Sequence, residues 1–212
     1  MKTDDLIRAL AADCTTRPMP LRRVFVVALI PGVAIAFCLY LAVLGPRPHF
    51  LELLTDPRFL FKICLAFLLV ALSAELVMRL GKPGAEIRRA ALMLAIVPAL
   101  LTAANLAELL SVPSGLWSQR LIGTNALFCL KTIPFLGLAP LAAILFCLRQ
   151  GAPEHPALAG AAAGLLAGAI GAALYATHCP DDSPLFVAVW YSLAITFVAA
   201  LGAVAGARLL RW

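Results

Sequence analysis

The chain has 212 residues, of which 63% are hydrophobic and only 13% charged, with a formal net charge of +6. Soluble domains carry roughly 25% charged residues, and no polar stretch here is long enough to bury a core of its own, so a soluble globular domain is excluded. The positive charge is scattered over segment ends rather than gathered into a patch, which fits membrane topology and not a polyanionic ligand.

Met1–Arg23 is the one segment with soluble character. Thr3 can cap a short helix with Asp4 and Asp5 in its first turn, where the helix dipole favours acids. Leu6, Ile7 and Leu10 then share one face at helical spacing. Arg17-Pro18-Met19-Pro20 ends the pattern and makes a stiff joint. A helix this short is marginal alone in water and needs a partner. A membrane-surface helix carries Lys and Arg along its polar face. Here that face begins with two acids, which points to a protein partner.

Six apolar runs follow, at about Val24–Leu44, Phe59–Leu80, Ala90–Leu110, Thr124–Leu148, Ala157–Thr177 and Pro184–Leu209. Each is long enough to cross a bilayer, which takes about 20 mostly apolar residues. The predicted fold class is therefore all-α: a six-helix transmembrane bundle over residues 24–212, preceded by a short N-terminal head over residues 1–23. The connections Gly45–Arg58, Arg79–Arg89, Ser111–Gly123, Arg149–Pro156 and His178–Ser183 are short, so neighbouring helices run antiparallel. With the N-terminus cytoplasmic, twelve Lys and Arg fall inside and five outside, which favours both termini inside. The start is not a secretory signal. Asp4 and Asp5 precede the first apolar run, which is longer than a signal core and ends at Gly45-Pro46-Arg47-Pro48 without a small-residue cleavage site. A bacterial inner membrane is the expected location. Gly160, Gly164 and Gly168 repeat every four residues in the fifth run, and Gly202 and Gly206 in the sixth. This is a close-packing signal, read as packing inside the bundle rather than as a dimer face.

Topology divides the six cysteines. Cys14 is cytoplasmic, and Cys38, Cys64 and Cys147 lie within spans as small hydrophobes. Cys129, about two turns into the fourth span, and Cys179, just past the fifth, both fall in the outer half, as does His49. A thiol pair with imidazole nearby forms a disulfide or holds a soft metal such as Cu(I) or Zn(II), with His178, Asp181 and Asp182 as further donors. Spacing alone equally allows two unrelated thiols, because there is no CxxC and no HExxH. Among charges within spans, Glu75 and Arg79 form an i,i+4 pair. Glu108 and Lys131 are expected to neutralise one another near Cys129. Ser183 follows His178 closely, but no nucleophile elbow surrounds it and capping before Pro184 is its expected role. No phosphate loop or dinucleotide fingerprint appears.

The opening Met1-Lys2-Thr3-Asp4-Asp5-Leu6-Ile7-Arg8-Ala9-Leu10-Ala11-Ala12-Asp13 resembles the start of the NrsF family. So do the prolines before the first span and the run His178-Cys179-Pro180-Asp181-Asp182-Ser183-Pro184 with Trp190-Tyr191 following. The members are six-span bacterial inner-membrane anti-sigma factors for extracytoplasmic-function sigma factors of the sigma-F type. The resemblance covers essentially the whole chain. It implies no catalytic activity and no required cofactor. It implies that the head, through Asp4, Asp5, Leu6, Ile7 and Leu10, holds the sigma factor, and that Cys129 and Cys179 match the family's outer cysteines, which are linked to sensing of metal or oxidative stress. The signal would be an oxidant or a soft ion such as copper, zinc or cadmium. A membrane thiol oxidoreductase and a small metal transporter are the competing classes. The missing CxxC weighs against the first, and the scarcity of intramembrane acids against the second.

Overall fold

The computed structural model describes residues 3–5, 7–8 and 20–211. Leu6, Leu10 and Cys14 lie outside the described residues. Thr3–Asp5 and Ile7–Arg8 are helical and exposed. The described residues form helices and connecting turns without a strand. Six helical segments are long and apolar enough to cross a membrane: Leu21–Val43, Pro57–Leu80, Arg88–Ser111, Ser114–Leu148, Pro156–Ala176 and Pro184–Leu209. They are called spans one to six below.

Proline sets several of their boundaries. Span one starts at Leu21 because Pro20 is extended (φ −60°, ψ 132°) and cannot continue a helix backwards. Pro57 and Pro156 occupy first-turn positions, where a missing N–H costs nothing. Asp56 caps span two by accepting from the Arg58 amide at 2.8 Å. Span three is broken between Leu94 and Ile96. Pro98 has no N–H to give the Leu94 carbonyl, so the ladder cannot run through.

The expected loop Ser111–Gly123 is mostly helical, with a tight turn at Ser114–Leu116 and a short helix at Trp117–Ile122. Gly123 ends it at φ +60°, ψ −163°, a conformation that side-chain-bearing residues avoid. A Cβ there would also collide with the Phe186 ring. The main part of span four then runs from Ala126 to Leu148. Span six contains a wide turn at Val187–Tyr191, a feature that recurs at functional sites.

Span five is the axis of the bundle. It packs against spans two, four and six, while span one packs mainly against span four. Its small side chains make this closeness available. A Cβ on Gly164 would sit 2.7 Å from the Ala199 Cα, and one on Gly206 would sit 2.6 Å from the Gly160 Cα. The glycine repeat is thus used between spans five and six. Gly164→Val forces these backbones apart and is expected to destabilise the protein by about 2–3 kcal/mol, read as a lower midpoint in detergent unfolding. An unchanged midpoint would mean that the two spans are not packed this closely.

Two cores stack along the bundle. One, around Phe25, Val77, Leu148 and Leu166, lies toward the end where span one begins. The other, around Tyr40, Cys129, Tyr175 and Cys179, lies toward the opposite end. Large apolar side chains such as Val27, Ile30 and Phe37 on span one and Leu92, Leu106 and Leu110 on span three remain exposed. Such extensive apolar surface suits contact with lipid rather than water.

Candidate sensory site around Cys179

The connection between spans five and six, residues 177–183, is held from almost every other element at its end of the bundle. Its first turn closes span five: the Tyr175 carbonyl accepts from His178 N at 2.9 Å and from Cys179 N at 3.0 Å. The Thr177 hydroxyl donates to the Leu174 carbonyl at 2.7 Å and accepts from Tyr40 of span one at 2.5 Å. His178 Nδ1 donates to the Gly45 carbonyl at 2.9 Å, and Arg47 N to the Thr177 carbonyl at 3.1 Å.

Charged groups hold the rest. Lys62 of span two is buried, 2% exposed. Its ammonium donates to the Cys179 carbonyl at 2.8 Å, to the Asp181 carbonyl at 3.4 Å and to Asp182 Oδ1. The other oxygen of Asp182 accepts from Arg47 at 2.6 Å. Asp181 accepts from the Thr124 and Asn125 amides at 3.1 and 2.9 Å and so ties down the two residues that lead into the main part of span four. Glu108 of span three, 4% exposed, accepts from Arg120 at 2.6 Å, from the Ser183 hydroxyl at 2.7 Å and from Leu185 N at 3.4 Å. Arg58 stands 3.8 Å away. Buried charges are tolerated only when paired and hydrogen-bonded in this way.

Two expectations are corrected here. Glu108 does not meet Lys131; its partners are Arg120, Arg58 and Ser183. Lys131 is exposed. Two residues along a helix turn the side chain by about 200°, so a buried Cys129 carries Lys131 to the opposite face. Ser183 stands at the start of span six, yet its hydroxyl makes no capping bond and is spent on Glu108. The Glu75–Arg79 pair forms at 2.7 Å. Sequence reasoning missed Lys62, counting it only as an outer charge. Its placement three residues after buried Phe59 and three before buried Leu65 was the available signal.

Cys129 and Cys179 are both free, both 0% exposed, and members of one cluster with Tyr175, Phe186 and Tyr191. The Tyr175 and Tyr191 rings are 5.9 Å apart. Their hydroxyls are buried without a hydrogen-bond partner among the described residues. Two thiols and two phenols thus share one buried cluster, with Cys179 on the 177–183 connection itself. The other proposed donors do not join them. His178 is committed to Gly45, Asp181 to Thr124 and Asn125, Asp182 to Lys62 and Arg47. His49 is exposed beside Glu52 at 3.2 Å. Among the described residues no three His, Cys, Asp or Glu are gathered as metal ligands. Cys147 is buried elsewhere, and Cys38 and Cys64 are exposed.

Burial pushes the Cys179 thiol above its ordinary range, although Lys62 and the Asp181 backbone pull the other way. Above the ordinary thiol range the unfolded chain ionises while folded Cys179 keeps its proton, so the unfolded state binds fewer protons and stability falls as pH rises. Cys179→Ala is expected to flatten this alkaline limb of a stability–pH profile. An identical slope in the variant would place the titrating group elsewhere.

The family described as "Negative regulator of sigma F", NrsF, matches residues 10–212. The Anti-sigma-F factor NrsF of Caulobacter vibrioides (strain NA1000 / CB15N) is 39% identical over 215 aligned residues, covering 100% of both chains. The protein named Probable anti-sigma-F factor NrsF of Azospira oryzae (strain ATCC BAA-33 / DSM 13638 / PS) is 35% identical over 214, again covering 100% of both. No solved structure matches the chain. A match this long, with full-length relatives at this identity, places the chain in the NrsF family of negative regulators of sigma F.

Proposed function

We propose that this protein is a bacterial inner-membrane anti-sigma factor. It holds an extracytoplasmic-function sigma factor through its N-terminal segment and releases it when Cys129 and Cys179 are engaged by an oxidant or a soft metal ion. The observation that carries the sensor assignment is that both thiols, 50 positions apart in sequence, lie buried in one cluster, Cys179 on a connection clamped to the other spans. The excess of cations at the end where span one begins supports an orientation with both termini in the cytoplasm.

In the resting state Leu6, Ile7 and Leu10 sit in a groove of the sigma factor, a helix-in-groove mode, with Asp4 and Asp5 at the helix start. The sigma factor is then kept from RNA polymerase. Oxidation joins the two Sγ atoms, releasing two protons and passing two electrons to the oxidant. A soft metal ion instead displaces the thiol protons and binds the thiolates. Either event draws Cys179 toward Cys129 and pulls on a connection whose carbonyls and carboxylates hold Lys62, Arg47 and the start of span four. Spans two and four then shift relative to span one, which carries the head through the stiff Pro18–Pro20 joint. The resting and the engaged states differ in contacts at this connection, and that difference is what biases the bundle. Full burial of both thiols weighs against turnover of an external dithiol, because exchange catalysts present an accessible thiolate.

The test is co-purification of cytoplasmic sigma factors from membranes with the intact protein and with a variant lacking residues 1–12. One sigma factor retained by the intact chain alone is the expected result. Retention by neither, in resting membranes, would sink the proposal. Cys129→Ala and Cys179→Ala variants should still retain the sigma factor but no longer release it on exposure to cadmium or an oxidant.

A further inference from the structure

Spans one and two are consecutive in sequence, yet each packs mainly against a different helix, span four and span five respectively. Between them, at the end where span one begins, lies a groove of about 650 Å³. Half of its lining is apolar, from Val26, Ala71, Ala74 and Met78 among others, and Phe25 joins it to the core. Its mouth carries Arg22, Arg79 and Lys82 against a single acid, Glu75. Arg79 binds Glu75 through Nε at 2.7 Å and the Glu86 carbonyl through Nη1 at 3.1 Å. Arg22 and Lys82 are exposed at the rim, and neither pairs with an acid among the described residues.

A wedge between two spans in a bilayer is filled by acyl chain, and the charge at its mouth selects the headgroup. Cations clustered at the cytoplasmic ends of spans attract anionic lipid at about 1 kcal/mol each. We propose that this groove is a binding site for one anionic phospholipid. Its phosphate sits among Arg22, Lys82 and the free edge of Arg79, and one acyl chain lies along Val26, Ala71 and Ala74. The inference rests on the membrane reading above, but not on the sigma factor or the thiols. The site joins the start of span one to the end of span two, so an occupied groove ties these two helices together.

The full chain is reconstituted in phosphatidylcholine discs, a step that itself tests the membrane reading. Phosphatidylglycerol retention is then measured by native mass spectrometry on R22A/K82A and on R208A/R211A, which removes the same charge from the C-terminal end. The expected result is one tightly held phosphatidylglycerol per chain, weakened about 10- to 30-fold by R22A/K82A and little changed by R208A/R211A. Equal weakening by both doubles would reduce the effect to general surface charge and overturn the site. So would equal retention of phosphatidylcholine, or displacement of the lipid by millimolar inorganic phosphate. Thermal unfolding of the unmodified protein supplies a second reading independent of the variants. Added phosphatidylglycerol should raise its Tm more than phosphatidylcholine does, and an equal rise with both lipids counts against the site.

Discussion

Lys62→Met is expected to lower the unfolding free energy by about 3–5 kcal/mol, the cost of breaking a buried, hydrogen-bonded ion pair by removing one member. The ammonium is buried, and its partners are the Cys179 and Asp181 carbonyls and Asp182. Methionine keeps the packing volume against Phe59 but supplies no donor, so the Cys179 carbonyl is left without its 2.8 Å bond. Asp182 keeps Arg47, which limits the loss at the carboxylate. Adding Asp182→Asn to Lys62→Met should cost less than the two single losses summed, because residues of one network are coupled. Unfolding in detergent with a tryptophan signal reads all three variants. A loss under about 1 kcal/mol for Lys62→Met, the range of an exposed pair, would mean that this lysine is solvated rather than clamped. The same variant loosens the connection that carries Cys179, so under the proposed function partial release of the sigma factor without any signal is expected alongside the stability loss.

The second large effect belongs to the head. Leu6→Asp with Leu10→Asp places two carboxylates on the proposed docking face of the N-terminal helix. Burial of a leucine side chain contributes about 1.5–3 kcal/mol, so losing two, with charge desolvation added, weakens the complex by a factor of roughly a thousand or more. A reporter driven by the sigma factor should then be fully active without cadmium or oxidant, while the variant still accumulates in membranes. A silent reporter in cells with normal amounts of the variant would move the binding surface away from the head. Leu6→Asp alone should give an intermediate state that still responds to signal.

These two variants separate the halves of the mechanism. Lys62→Met acts on the clamp and changes protein stability. The leucine variants act on the proposed docking segment and leave the clamp untouched, so the unfolding midpoint should not move. Cys129→Ala acts on neither, and is expected to lock the regulator in its holding state.

The sequence was explicit about the parts of this protein that depend on local composition. Six apolar runs of spanning length, separated by short polar turns, are a property of the chain in any arrangement; five appear as helices within a few residues of the expected limits, and the fourth, expected from Thr124, begins at Ser114 with its main helix at Ala126. Proline was only partly readable: Pro20, Pro57 and Pro156 stand at helix starts, and Pro98 follows the break in span three that the sequence reading left continuous, while Pro31, Pro134 and Pro140 lie inside unbroken helices. The connection Ser111–Gly123 was misjudged as loop because its apolar residues are too few to read as a span, while a single glycine turn was enough to set off a short helix. The glycine repeat announced a close approach, although only the fold showed span six as the surface approached.

What the tertiary structure alone decided is which charges meet and what they enclose. Lys62 and the Cys179 carbonyl are 117 positions apart, and Glu108 and Ser183 are 75 apart. Such partnerships depend on how each helix is rotated about its axis and on the path of the connecting chain, neither of which is a local property. A shift of one residue in span four turns the side chain by about 100°, enough to exchange Cys129 for a lipid-facing neighbour. The sequence therefore placed both thiols in the same half of the bundle, and packing around span five brought them into one buried cluster.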